Sequence, residues 1–162
     1  MNEETVRVEQ IAGYIEKAGK SQRVVEMECP YVKGFFVKIA YLSKFLLNQI
    51  SELSRERGKN PRTGTSETRF NEEKLREGYV NYIVLDWRGL TFAGLRQLLG
   101  DSTKIEEGID VNKEILYDKK LAFQLLSFSI EFENWVVSVT NDIEVYSAVG
   151  KQKKEEFDNL KK

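Results

Sequence analysis

The segment Tyr79–Leu90 is the strongest constraint on the fold of this chain. It is the longest strongly apolar run in the middle of the sequence, and it ends in the charged corner Asp86-Trp87-Arg88-Gly89. Apolar residues at helical spacing lead into it, which predicts a helix that begins after Asn71 and runs to the corner. The β-branched pair Ile83-Val84 is also compatible with a strand at the end. In either conformation we expect the segment to lie in the core, with the two halves of the chain packed around it.

The residues before this segment predict two helices and a β-hairpin. Apolar residues recur at helical spacing over Thr5–Lys20, with a short strand as the alternative at its start. The segments Arg23–Cys29 and Phe35–Tyr41 alternate apolar and polar residues across a short connector, which is typical of an antiparallel hairpin. A second helix is expected from the capping hydroxyl of Ser43 to about Gly58. Because a lone hairpin is marginal in water, it must pack on helices.

Three further helices are predicted after the central segment. They cover Leu90–Gly100, where a turn is the alternative, and also Lys119–Phe128 and Ile130–Ala148. Asp118 and Ser129 are placed to cap the second and the third of them. The sequence therefore predicts a mainly α protein with a small β-hairpin (α+β), in which N-terminal antiparallel strands pack on a helical bundle. We expect a single domain over residues 1–150 and a charged C-terminal tail over residues 151–162.

The most basic part of the chain surrounds residues 59–70. It is polar, with Pro61 and Gly64 as turn signals, and its cations include Arg55 and Arg62. This composition predicts a mobile loop over residues 59–70. The loop is either solvated surface or a contact arm for an acidic partner, and we include Arg55 and Arg62 in the predicted partner-binding set.

Two aromatic-bearing segments supply the other candidate contacts. Because Trp and Arg are enriched at interface hot spots, Trp87 and Arg88 could form an exposed anchor. Alternatively, Trp87 is a core residue, and Asp86 and Arg88 form a local capping or ion pair at a turn set by Gly89. Phe132 and Trp135 lie on the widest apolar stripe of the chain. That stripe is either core or a partly exposed face, used for self-association or for holding an amphipathic helix.

Composition excludes several classes of enzyme and of partner. The chain has no histidine and one cysteine, whereas imidazole-based nucleophile systems and the usual zinc sites need those residue types. We therefore expect a non-enzymatic protein without a cofactor or a metal. The net charge of −1 makes nucleic acid an unexpected partner. The acidic start, the lone Cys29 and the lack of a run of about 20 apolar residues predict a cytoplasmic protein that does not enter a membrane.

The order of motifs along Val24–Tyr146 is more informative than any one of them. A strand pair runs straight into a helix, and the corner Asp86-Trp87-Arg88-Gly89 follows a basic segment. Helix starts then come at Tyr117-Asp118 and at Ser129–Val136. This order resembles the tail assembly chaperones of long-tailed bacteriophages and prophages, which have a D-W-x-G corner, a Y-S-x-E helix start and an F-x-x-W/F-I helix. The chain departs from that pattern at Asp118-Lys119, where Ser or Thr followed by a carboxylate is usual.

The resemblance implies a non-enzymatic role in the bacterial host cell. Members of that family coat the long helical tape measure protein and keep it soluble while tail tube subunits assemble along it. The tape measure protein is then the expected partner, and the tail tube protein is a second candidate. Two other classes stay open: a structural phage adaptor, such as a head–tail joining or tail completion protein, and a small nucleic-acid-binding module that uses Arg55–Arg69.

Overall fold

Helices and two small antiparallel sheets make up the protein in a computed structural model that describes residues 3–100 and 107–147. The elements in chain order are α1 (Glu3–Lys20), β1 (Val24–Glu28), β2 (Phe36–Ala40), α2 (Lys44–Ser54), β3 (Arg55–Lys59), β4 (Ser66–Phe70), α3 (Glu72–Tyr82), β5 (Val84–Arg88), α4 (Phe92–Leu99), α5 (Lys119–Phe128) and α6 (Ile130–Asn141). Residues 143–147 are also helical. The α+β class expected from the sequence is confirmed. The predicted tail over residues 151–162 lies outside the described residues.

The central sheet has the strand order β1-β2-β5, with both neighbouring pairs antiparallel. The predicted N-terminal hairpin is therefore confirmed as β1 and β2. Alternation along these strands buries Val25, Val37 and Ile39 on one face, against the helices. The same alternation leaves glutamates on the other face of β1. The period-2 pattern of apolar residues therefore determines which face of the strand enters the core.

The predicted helix through the apolar segment is wrong beyond Tyr82. The chain changes at Ile83 into strand β5, which places Val37 opposite Trp87 and Phe36 opposite Arg88. The free edge of β2 supplies a ladder of backbone hydrogen-bond partners that only an extended chain can use. The β-branched pair at this point favours that conformation.

The second predicted helix is also shorter than expected. It ends at Ser54 instead of Gly58, and Arg55–Lys59 pairs with Ser66–Phe70 as a separate antiparallel hairpin. The prediction of a loop over residues 59–70 is therefore wrong for its second half, and residues 60–65 form the connection. The Ser54 hydroxyl donates to the Ile50 carbonyl at 2.6 Å, and the Ser54 carbonyl accepts from the Asn71 N–H at 2.8 Å. The bond between Asn71 and Ser54 holds the two ends of the hairpin together where it leaves the helices, and the bond to Ile50 lies within α2.

The last predicted helix ends at Asn141 instead of Ala148. The Thr140 carbonyl accepts from the Leu42 N–H at 2.9 Å, and the Thr140 hydroxyl donates to the Ala40 carbonyl at 2.7 Å. These bonds fix the helix end to the end of β2. Asp142 then accepts from the Glu144 N–H at 3.0 Å and begins the short helical segment that follows.

Helix starts follow the sequence closely. The predicted caps Ser43, Asn71, Asp118 and Ser129 all accept hydrogen bonds from free N–H groups of the first turn. Thr91 caps α4 in the same way. A helix start needs one short polar side chain near the first N–H groups, so local sequence is enough to locate it.

The buried Thr140 hydroxyl supports a first prediction. Thr140→Val keeps the shape of the side chain but removes the donor to the Ala40 carbonyl, so the free energy of unfolding should fall by about 1–3 kcal/mol. Urea unfolding followed by circular dichroism measures this loss. Thr68→Val is the matched control on the exposed strand β4, and its effect should stay within about 0.5 kcal/mol. Equal losses in the two variants would contradict the assigned hydrogen bond.

Candidate functional site

Trp87 is part of the core and not an exposed anchor. Its side chain is 6% exposed, and its indole Nε1 donates to the Ile115 carbonyl at 3.0 Å. Its ring meets the ring of Phe35 edge-on at 5.9 Å and that of Tyr117 at 5.0 Å. Burial raises the pKa of Tyr117, whose hydroxyl donates to the Val84 carbonyl at 2.8 Å. The interpretation of Trp87 as a surface hot spot is therefore wrong, and the core interpretation is confirmed.

The apolar stripe of α6 is core as well. Phe132 is fully buried and Trp135 is 9% exposed, with their ring centroids 6.1 Å apart. Phe132 also stacks on Phe35, the residue before β2, with ring centroids 6.2 Å apart. Phe132 and Trp135 therefore do not form an exposed face, because both side chains pack inside the core.

Arg88 is exposed but is not free. Its guanidinium forms an ion pair with Glu26 at 2.7 Å and lies 4.1 Å from the ring centroid of Phe36. Asp86 and Arg88 do not form the local ion pair that was one alternative. Asp86 accepts from the backbone N–H of Trp87 at 2.9 Å, which fits the alternative of local capping. Arg88 thus ties β5 to β1 across the face of β2, which is a structural role.

Arg55 and Arg62 lie on the β3–β4 hairpin, away from these aromatic residues. Arg55 begins β3 opposite Phe70, and Arg62 lies in the exposed connection. The Arg62 N–H donates to the Asn60 side-chain oxygen at 2.9 Å, which shapes the turn. The predicted partner-binding residues therefore divide into three places: the buried aromatic residues, Arg88 paired on the central sheet, and the separate basic hairpin.

The strongest candidate for a protein-binding site is an apolar groove between α4 and α5, called here the α4–α5 groove. Its volume is about 300 Å³. Its lining residues are Leu90, Leu95, Leu99, Ile115, Leu121, Gln124, Leu125 and Phe128. Leu90 and Leu125 are buried and form the floor, whereas Leu99 and Phe128 are 49% and 77% exposed. Among the described residues, none of those that line the groove carries a charge.

Backbone hydrogen bonds hold the wall of the α4–α5 groove in place. The Ile115 N–H donates to the Leu90 carbonyl at 2.6 Å, and the Ala93 N–H donates to the Val111 carbonyl at 3.1 Å. A β-bridge between Thr91 and Glu114 adds to this attachment. The groove is therefore preformed, which lowers the entropic cost of binding a partner in it.

A second groove, between α3 and α6, is less suited to an apolar partner. Arg76 donates to Glu133 at 2.8 Å across its mouth, and this bond raises the pKa of the guanidinium. Burial, and secondarily the Glu133 charge, raise the pKa of Tyr79 beside it. A partner would have to displace or desolvate the ion pair, which opposes apolar binding.

The comparison with known families decides the origin of the chain. The family described as YdaY prophage protein matches residues 43–157. The chain belongs to the YdaY prophage protein family. The matched range includes the β3–β4 hairpin and the α4–α5 groove, whereas α1, β1 and β2 precede it. No curated protein and no solved structure matches this YdaY-family protein.

The described part of the YdaY-family protein has neither a candidate membrane span nor a metal-binding cluster. Within residues 3–100 and 107–147, no helix is long and apolar enough to cross a membrane. In the same part of the chain, no three His, Cys, Asp or Glu side chains are grouped so as to hold a metal ion. Cys29 is buried, and burial raises the pKa of its thiol.

Sequence reasoning missed the α4–α5 groove. The helical period indicated that the segments of α4 and α5 are both apolar, but it did not show that a groove lies between them. The adjacent pair Leu98 and Leu99 carries no signal that separates core from surface, since the adjacent residues Leu125 and Leu126 are both buried. Leu98 is buried and Leu99 is half-exposed.

Proposed function

We propose that this prophage protein is a non-enzymatic assembly chaperone that holds an apolar helical segment of the tape measure protein during tail assembly. The observation that carries the proposal is the uncharged, preformed α4–α5 groove with the exposed ring of Phe128 at its edge. An amphipathic helix that lays its apolar face in a groove is a common mode of peptide recognition. The tail tube protein is the second candidate partner in this proposal.

The chemistry of the groove favours a partner that aggregates when it is alone. A long helix with apolar stripes exposes the kind of surface that a wall of leucine, isoleucine and phenylalanine side chains covers. Gln124 is the only polar side chain among the described lining residues, so the groove selects by shape and apolarity more than by hydrogen bonds. That low selectivity suits a chaperone that meets many successive segments of one long helix. We place this activity in the cytoplasm of the bacterial host.

Co-expression with the tape measure protein of the same prophage tests the proposal. The tape measure protein should be insoluble when it is expressed alone and should elute with this chain as a complex in size-exclusion chromatography. If the tape measure protein gains no solubility, the chaperone proposal is wrong. If this chain instead forms a defined ring and remains in the finished tail, it is a structural adaptor of the head–tail joining or tail completion class.

A groove variant gives a quantitative prediction. Leu99→Gln places an amide at the rim of the α4–α5 groove and should weaken partner binding about 10- to 100-fold, because burial of a leucine side chain contributes about 1.5–3 kcal/mol. Leu47→Gln is the matched control, since Leu47 is 48% exposed on α2 and lines no groove. Isothermal titration calorimetry against a purified helical fragment of the tape measure protein measures both.

The two variants also distinguish binding from folding. Each leucine is about half-exposed, so neither change should shift the free energy of unfolding by more than about 0.5–1 kcal/mol. If Leu47→Gln weakens the complex as much as Leu99→Gln does, the partner does not bind in the α4–α5 groove.

A further inference from the structure

The β3–β4 hairpin extends from the paired helices α2 and α3. β3 follows α2 without a break, and β4 reaches α3 through Asn71 alone. Helices α2 and α3 pack on each other, whereas the extensive contacts of β3 and β4 are between the two strands. Every residue from Arg55 to Phe70 is exposed or half-exposed, and none is buried. The hairpin is thus a two-stranded ribbon with solvent on both faces.

The pleat of this ribbon separates its charges. Alternate residues of a strand share a face, and directly opposed residues of an antiparallel pair share it too. Arg55, Arg57 and Lys59 therefore lie on one face, which is called here the cationic face. Their opposed residues on β4 are Phe70, Thr68 and Ser66. The cationic face thus carries three cations, two hydroxyls and a ring, and no carboxylate.

The carboxylates of the hairpin lie on the other face and are already paired. Glu56 accepts from Lys74 at 3.0 Å and from the Asn71 amide at 2.9 Å, and the bond from Lys74 is the largest cause of the lowered pKa of Glu56. Glu67 pairs with Arg69 at 3.4 Å and also accepts from Asn60. The acids of the ribbon therefore do not neutralise its cationic face.

The cations of the cationic face have no such partners. Within the part of the chain that the structure describes, no carboxylate lies at ion-pair distance from Arg55, Arg57 or Lys59. Arg62 at the tip of the hairpin is likewise outside these pairs. The ten residues from Arg57 to Ser66 contain no acid at all. A row of unpaired cations on an exposed element is an electrostatic footprint for a polyanion.

We propose that the cationic face of the β3–β4 hairpin binds the phosphate backbone of duplex DNA. The major groove, which is about 12 Å wide, admits a two-stranded β-ribbon, and cations on such a ribbon then reach phosphates at the groove wall. The hydroxyls of Ser66 and Thr68 are additional donors to phosphate oxygens. The net charge of −1 does not oppose this binding, because it averages over a surface on which the hairpin holds five cations against two acids.

The shape of the ribbon favours a nucleic acid over an acidic protein. The major groove of DNA is wide enough to enclose a two-stranded ribbon whose two faces are both exposed. Apart from Phe70 at its base, the cationic face offers no large apolar side chain for the centre of a protein interface. The hairpin shares no residue with the α4–α5 groove, so the test of DNA binding is independent of the chaperone proposal.

Fluorescence anisotropy with a labelled duplex of about two helical turns tests the proposal on the full chain. Arg57→Gln removes a cation from the cationic face and should weaken binding about tenfold at low salt, with a salt slope reduced by about 1. Arg69→Gln is the matched control, because it removes the same charge from the opposite face of the same hairpin. Its affinity should stay within about twofold of the unmodified protein.

Each outcome decides the proposal. A tenfold loss for Arg57→Gln with little change for Arg69→Gln supports it, and Lys59→Gln should repeat that result if the first variant folds poorly. Equal losses for Arg57→Gln and Arg69→Gln would show that net charge alone attracts DNA, and would overturn it. Absence of binding at about 50 mM salt, or binding to poly-glutamate as tight as to DNA, would also overturn it, the latter in favour of an acidic protein.

Discussion

Gly89→Ala is expected to produce the largest loss of stability that one added methyl group can cause in this protein. Gly89 follows β5 and has a φ of +79°, a conformation that costs other residues about 1–2 kcal/mol. A Cβ atom there would lie 2.0 Å from the backbone carbonyl oxygen of Gly34. Because that oxygen belongs to the backbone, the β1–β2 connection must move away. We expect the free energy of unfolding to fall by at least about 3 kcal/mol.

Gly34→Ala is the control that isolates the steric part of this effect. Gly34 has a φ of +83°, nearly the same as Gly89, but an added Cβ there meets no atom within 4 Å. Its loss should therefore be limited to about 1–2 kcal/mol. Urea unfolding of both variants measures the difference. If the two losses are equal, the close approach of Gly89 to the β1–β2 connection does not exist in solution.

Phe132→Ala is expected to remove about 3–5 kcal/mol from the free energy of unfolding. Phe132 lies on α6 and is fully buried. Its ring packs against Phe35, the residue before β2, and against Trp135 of the same helix. Its removal leaves a cavity at the junction of the two layers. Since small proteins are stable by only about 5–15 kcal/mol, this loss is a large share of the total.

Phe128→Ala is the matched control for Phe132→Ala and separates stability from function. Phe128 ends α5 with its ring 77% exposed at the α4–α5 groove, so its truncation should cost the fold less than about 1 kcal/mol. On the proposed function it should still weaken tape measure binding. Thermal unfolding followed by calorimetric titration measures both properties. If Phe128→Ala loses as much free energy of unfolding as Phe132→Ala does, the assignment of Phe128 to the surface and of Phe132 to the core is wrong.

Features that depend on neighbouring residues in the chain could be predicted from the sequence. The N-terminal hairpin and the four predicted caps are confirmed, because a cap needs one polar side chain and a half-buried strand needs alternation. The same local reasoning identified Arg55 and Arg62 as part of the most basic segment. It treated that segment as a loop, however, since no sequence signal showed that β3 and β4 pair with each other.

The tertiary structure decided which apolar and charged residues remain on the surface. Trp87 and Trp135 are typical of both a hot spot and a core, and only packing against Phe35 and Phe132 placed them inside. The β-branched pair Ile83-Val84 left both a helix and a strand open, and β5 forms because β2 offers it an edge.

The two surfaces that carry the proposals arise from the same kind of long-range information. The α4–α5 groove needs two helices at a particular separation, and the cationic face needs the register that sets Arg57 opposite Thr68. Sequence by itself determined the α+β class, the helix starts and the hairpin, because short-range hydrogen bonds and periodicity encode them. The exposed binding surfaces were decided by the tertiary structure, because a side chain stays exposed only where no distant segment of the chain packs against it.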